Sequence, residues 1–268
     1  TRRGTDDAVA FINRHAGQPF FLYVPYSMPH VPLYCSEAYE GRSGAGLYGD
    51  VMLEIDGSVG RILEALEKNG LGDNTLVLFT SDNGPWLSYG NHAGSTPFRE
   101  GKGTSFDGGK RNACVVRFPR LIQPGTRSDI PWSSIDILPT FAELAGAPLP
   151  ENPIDGKPVT GILAGKPDAR NPHAYYAFSL GRELQAVMSG DGRWRLHRPH
   201  GYRTLVEAGK DGQPGTYERR DLEWSLFDLE ADPGETTNVL EANPRVAETL
   251  RKHLEAHAAR FYAKPRQP

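Results

Sequence analysis

Cysteine is nearly absent from this 268-residue chain, which has only Cys35 and Cys114. Two thiols cannot form a disulfide framework, and neither lies in a metal-type spacing. Each reads as a small buried hydrophobe rather than a nucleophile, and the redox compartment stays open. Long apolar runs are also missing, so no segment is long enough to cross a bilayer as a helix. An excess of one charge is lacking too: 30 Lys and Arg stand against 33 Asp and Glu, a net of -3. That balance gives no general attraction to nucleic acid or an anionic membrane, so an anionic substrate would need a local positive site. The sequence has no GxSxG, Walker loop, Rossmann fingerprint or N-glycosylation sequon. His253 and His257 are one helical turn apart, but HLEAH lacks the glutamate placement of a zinc-protease helix. His197 and His200 read as surface residues.

What is present is an ordinary globular balance, 38% hydrophobic and 24% charged, long enough to bury a sizeable core. Thr5 is a candidate N-cap for a helix through about His15, with Asp6 and Asp7 at its positive end. PFFLYV (19–24) suits a strand covered on both faces, as in parallel sheets. Tyr48, Val51, Ile55, Val59, Ile62 and Leu66 recur at helical spacing, and Asn69-Gly70 ends that helix. TLVLFT (75–80) and ACVVRF (113–118) read as further buried strands. IDILPTFAELAG (135–146) reads as a helix closed by Gly146. Alternating strands and helices predict an α/β layer structure. After a proline-rich stretch the texture changes, and a division near 165/166 separates a larger unit from a small α+β unit. The small unit holds a hairpin turning at Gly190–Gly192, a mobile excursion over 204–220 and a strand at WSLFD. It ends in a helix capped by Asn243 with Pro244 at its first position.

Several residues could carry chemistry. Asp82 and Asn83 follow a strand, where Gly84 and Pro85 force a turn that lets both oxygens aim at one point. They suit either an Asx-type turn or a hard cation, which would need more ligands than two. Lys102 lies between glycines in EGKGTSFDGG, as a surface lysine or as a point charge for an anion. His30, flanked by Pro29 and Pro32, is either a satisfied turn histidine or a donor to a departing oxygen. His92 and Arg99 lie between these motifs and are either surface-loop groups or substrate-facing ones.

In order, MPHVPL, FTSDNG, REGKGTSFDGG, DILPTFAELAG and LFDLEADPGETTN closely resemble the type I sulfatases, the arylsulfatase-like branch of the alkaline-phosphatase superfamily. The resemblance covers nearly the whole chain and is loosest over 201–222. It implies a sulfatase/alkaline-phosphatase-like α/β sheet flanked by helices and followed by a small α+β subdomain. It also implies hydrolysis of aryl or carbohydrate sulfate monoesters with Ca²⁺ and a formylglycine nucleophile. Asp82 and Asn83 then correspond to calcium ligands, Lys102 to the sulfate-contacting lysine and His30 to the histidine beside the leaving oxygen. His92 corresponds to a weaker substrate contact. The chain lacks the Cys/Ser-x-Pro/Ala-x-Arg motif and the family's first aspartate ligands. It opens TRRGTDDAVAF, without an initiator methionine or signal pattern, and is expected to be a C-terminal portion, inactive alone. A phosphomonoester or phosphonate hydrolase, or a non-catalytic module of the same fold, is the alternative. A periplasmic, secreted or lysosomal location is a family expectation only.

Overall fold

The computed structural model describes residues 1–262. The first helix, α1 (Arg2–Arg14), begins before the candidate cap. Thr5 lies inside it, fully buried, with its hydroxyl donating to the Thr1 carbonyl and sharing a hydrogen bond with Tyr26. The inward stripe of Thr5, Ala8 and Ile12 sets the helix register, so the helix extends one turn upstream of Thr5. Ile12 meets Ala65 and Leu66 of α2 (Gly46–Lys68), and Phe20, Leu22 and Val77 pack around them. A second cluster puts Val51 and Ile55 of α2 against Leu33. Two buried carboxylates of α2 hold the loop before it: Asp50 accepts from the N–H groups of Gly41 and Ser43, and Glu54 from that of Ser36.

Residues 19–24 correct the expectation of a buried strand. They are extended but unpaired with any strand among the described residues. Their burial alternates: Phe20, Leu22 and Val24 are half-buried, whereas Phe21 is 72% exposed and Tyr23 76%. An aromatic, β-branched run favours extension, but a ladder needs a neighbouring chain to receive its backbone groups. The strands that follow, β1 (Val77–Thr80) and β2 (Cys114–Arg117), pair antiparallel with each other in a two-stranded sheet. They are not covered on both faces, because Val115 is 64% exposed and Cys114 is exposed instead of buried. A short helix, α3 (Asp107–Lys110), precedes β2. Farther on, α4 (Ile137–Ala145) ends as expected on Gly146 in the left-handed conformation, and α5 (Thr160–Leu163) follows.

The remaining chain builds β3 (Tyr175–Leu180), β4 (Glu183–Ser189) and β5 (Trp194–His197), then β6 (His200–Glu207), β7 (Thr216–Leu222) and β8 (Ser225–Asp228). A four-stranded antiparallel sheet has the order β3-β4-β5-β8. Its two-residue period sorts side chains cleanly. Val187, Leu196 and Leu226 share one face and pack on Ala247, Leu250 and Leu254 of α6 (Pro244–Phe261). Met188 and Phe227, with Arg195 between them in register, share the opposite face, on which Phe106 and Tyr202 sit. Pro244 opens α6 as expected, but Asn243 gives no side-chain cap and donates instead to the Val239 carbonyl. The expected excursion over 204–220 is ordered: β6 and β7 form an antiparallel hairpin whose pairing runs from His200–Leu222 to Glu207–Thr216. Among the described residues no helix is long and apolar enough to cross a membrane.

Candidate active site

The turn after β1 brings the separated motifs together. The N–H of Gly84 donates to the Gly109 carbonyl (3.2 Å), and that of Lys102 to the Pro85 carbonyl (2.9 Å). These two bonds fasten the Asp82–Asn83 turn to the loop carrying Lys102. Gly84 is needed there, since a methyl group would collide with the Gly108 carbonyl. Ser81 steadies the same turn, donating from its hydroxyl to the Asn83 carbonyl and accepting at its own carbonyl from Asn112.

Trp86 is the residue on which the site converges. The Lys102 ammonium lies 4.7 Å from the centroid of its ring, within the range of a cation–π contact. The His30 imidazole meets the same ring edge-on at 5.2 Å, and Tyr89 packs on it at 4.9 Å. Trp86 thus spans the 72 positions separating His30 from Lys102 in sequence, a role that DNGPW does not disclose. His30 Nδ1–H donates to the Val31 carbonyl (2.7 Å). A carbonyl can only accept, so this bond places a proton on Nδ1 and leaves Nε2 free for an outside partner. Asp82 and His30 are exposed and Asn83 and Lys102 half-buried, so these groups lie on an open face. A cleft lined by Thr1, Arg2, Arg3, Tyr34 and Glu54 includes none of them.

Asp82 and Asn83 offer oxygens of the kind a hard cation takes. They are two, where calcium takes about six to eight. Among the described residues no group of three or more His, Cys, Asp or Glu is arranged to hold a metal. The donors therefore fit calcium in kind and not in number.

Arg99 and the two histidines near β5 depart from expectation. Arg99 turns inward, its guanidinium 4.1 Å from the Phe106 ring centroid. It donates to the Glu235 carbonyl (2.5 Å) and the Tyr202 hydroxyl (2.8 Å). His197 and His200 are buried, with His197 stacked on Phe106 at 4.8 Å. Burial holds the His197 imidazole down to about 4, despite the Glu235 carboxylate beside it, and burial also lowers His200. At the centre of this layer Arg195 donates to Asp107 (2.5 Å) and lies 3.4 Å from Glu235. Glu235 in turn accepts from the Asp107 N–H (2.8 Å). Its burial works against ionisation, but Arg195, His197 and that N–H outweigh it and keep the carboxyl below the usual range. Glu235 also adopts a left-handed backbone (φ 49°), which for a non-glycine residue costs on the order of 1 kcal/mol. The network thus pins residues 99–107, and with them the loop that presents Lys102, to the four-stranded sheet. No local sequence signal marks it, because a buried arginine reads like any other.

His92 is half-buried, and its ring lies in ordinary contact range of the space a side chain on Gly212 of the β6–β7 hairpin would enter. It lies at the end of the segment that starts with Trp86.

A family model described as Sulfatase matches residues 1–147. The chain belongs to the sulfatase family. It is 36% identical over 260 residues to arylsulfatase A of Bos taurus, an alignment covering 93% of this chain and 50% of that protein. It is 34% identical over 268 residues to an N-acetylgalactosamine-6-O-sulfatase of Bacteroides thetaiotaomicron, covering 94% of this chain and 50% of the relative. Among solved structures, a sulfatase from Pseudoalteromonas sp. superposes with a TM-score of 0.86 at 27% identity, covering 98% of this chain and 53% of that one. The α/β fold expected of a sulfatase is therefore the fold observed. This sulfatase chain spans about half the length of the relatives it matches.

Proposed function

We propose that this chain supplies the leaving-group side of a sulfatase, a hydrolase of sulfate monoesters on aryl or carbohydrate alcohols. The observation that carries this reading is the convergence of the Lys102 ammonium and the His30 imidazole on Trp86, beside the Asp82–Asn83 turn, in a sulfatase-family chain. The relatives' names span aryl, steryl and amino-sugar sulfate esters.

Cleavage of a sulfate ester leaves negative charge on the sulfo oxygens and on the departing alcohol oxygen. A fixed cation aimed at those oxygens stabilises them more in the transition state than in the ground state. Lys102 takes that role, held in direction by Trp86 and by the bond from its own N–H. His30, with Nδ1–H committed to a carbonyl, offers Nε2 to the departing oxygen and in its imidazolium form delivers a proton there. Asp82 and Asn83 would supply two oxygens to a calcium ion, which when bound would polarise the sulfo group. The remaining ligands and the nucleophile, a formylglycine by family resemblance, would come from a polypeptide corresponding to the other half of the relatives. On this reading the chain alone hydrolyses nothing.

The test is turnover of an aryl sulfate by the completed enzyme. Lys102→Ala and His30→Ala are each expected to lower kcat by about 10²- to 10³-fold. Unchanged kcat in both would remove these residues from the mechanism. Faster cleavage of the matching phosphate ester would make the enzyme a phosphomonoesterase instead.

A further inference from the structure

The β6–β7 hairpin is fastened at both ends to the loops that carry the candidate site. At its root, Arg203 donates to the Lys102 carbonyl (3.0 Å) while its guanidinium rests 4.6 Å from the Tyr217 ring centroid. At its tip, the N–H groups of Gly209 and Gly215 converge on the buried Ser88 carbonyl at 2.8 and 2.7 Å. Gly215 also reaches the Ser88 hydroxyl (3.0 Å). Beside them Asp211 and Asn91 exchange a reciprocal pair, the Asp211 N–H to Asn91 Oδ1 (2.9 Å) and Asn91 Nδ2 to Asp211 Oδ1 (2.8 Å). Gly90 has a left-handed backbone (φ 54°), and the Gly209 carbonyl occupies the space a side chain there would need. The tip is therefore seated on residues 88–91, between Trp86 and His92, and Gly212 faces the His92 ring with no side chain between them.

This arrangement has a chemical consequence. Lys210 and Gln213 are exposed at the tip, where the Asp211–Asn91 pair holds them, so what the hairpin offers a ligand beside His92 is hydrogen-bonding groups. Such groups match the hydroxyls of a sugar and leave an apolar ring system without partners. We propose that the seated β6–β7 tip is the specificity element of this sulfatase. It stands beside His92, away from the Lys102 ammonium, and it favours sulfate esters of carbohydrates over those of small aryl or steryl alcohols. Asp211 and Asn91 act as positioning residues. The inference rests on the sulfatase reading above.

The test has two parts. In this chain as it stands, backbone exchange read by NMR is expected to show the Gly209 and Gly215 N–H groups protected. Asp211→Gly relaxes the left-handed backbone (φ 52°) while deleting the acceptor, and Asn91→Ala removes both halves of the pair. Each is expected to speed exchange at both glycines by about three- to tenfold, and Asp211→Asn, which keeps an acceptor, is expected to restore it. In the completed enzyme the same two variants are expected to raise KM for a 6-sulfated amino-sugar disaccharide by about three- to tenfold. The kcat, and both constants for a small aryl sulfate, are expected to be unchanged. Rapid exchange at both glycines in the unaltered chain would overturn the seated tip. Protected glycines with equal KM changes for both esters, or with none, would overturn its selecting role. Failure to cleave either ester would instead overturn the sulfatase reading and this inference with it, whatever the exchange shows.

Discussion

The four-stranded sheet and the β1–β2 pair solve opposite problems. The sheet is covered on both faces, by α6 on one side and by Phe106, Tyr202 and the Arg195 network on the other. The β1–β2 pair leaves Val115 and Phe79 exposed, and Phe21, Tyr23 and Asp82 are exposed as well. Burial is concentrated in the sheet, and the candidate site lies on the less covered part of the chain. The two are joined by residues 99–107, whose Phe106 and Asp107 are held by the sheet and whose Arg99 is held by Glu235 beyond it, while Lys102 faces Trp86. A loop built this way can be open at its functional end and still be fixed, which is what a preorganised cation requires.

The sharpest way to break this contrast is to cut the joint. Arg195→Ala leaves Glu235 a buried carboxylate without its guanidinium and Asp107 with only Arg111, and removing one partner of a buried pair costs about 3–5 kcal/mol. Chemical denaturation should show that loss; a midpoint within error of the unaltered chain would mean the network does not join the two regions. Next in size, Leu196→Ala in the sheet core should cost about 2–5 kcal/mol, with the cavity it leaves setting the value.

A third test uses pH. The His197 imidazole ionises only near 4 in the folded chain, against an ordinary 6.5. Between those values the unfolded chain binds the proton and the folded one does not. The contribution of His197 is therefore complete above about pH 6.5 and is lost as pH falls toward 4. His200 is shifted in the same direction. His197→Gln should flatten the fall in melting temperature between pH 6.5 and 4; an unchanged slope would assign that fall to other groups. The smallest effect is expected on the open face, where Val115→Ser should change stability by no more than about 0.5 kcal/mol. A loss of several kcal/mol there would show that this face is covered in solution.

How much of this was legible in the sequence follows the same divide. The helical periodicity of Tyr48 to Leu66 and the Gly146 stop give α2 and α4 directly, because local rules decide them. The turn at Gly190–Gly192 likewise gives the β4–β5 hairpin. PFFLYV misled, since an apolar run signals extension but cannot say whether a neighbouring strand is there to pair with it. The hairpin over 200–222 was missed because Gly209, Gly212, Pro214 and Gly215 read as looseness, whereas they form a tip held by Ser88 and Asn91. For the site, Asp82, Asn83, His30 and Lys102 are recognisable as residue types in special turns. Trp86, Arg195, Arg203 and Glu235 are not, because their roles exist only in contacts between distant segments.

The central claim is that His30, Asp82, Asn83 and Lys102 surround one sulfo group. A crystal structure of the completed enzyme with calcium and an uncleaved sulfate ester tests it most directly. Asp82 and Asn83 oxygens are expected about 2.3–2.6 Å from the ion. Lys102 Nζ and His30 Nε2 are expected at hydrogen-bond distance from oxygens of the same ester. An ester bound with Lys102 and His30 turned to solvent, or an ion held without Asp82 and Asn83, would contradict the account.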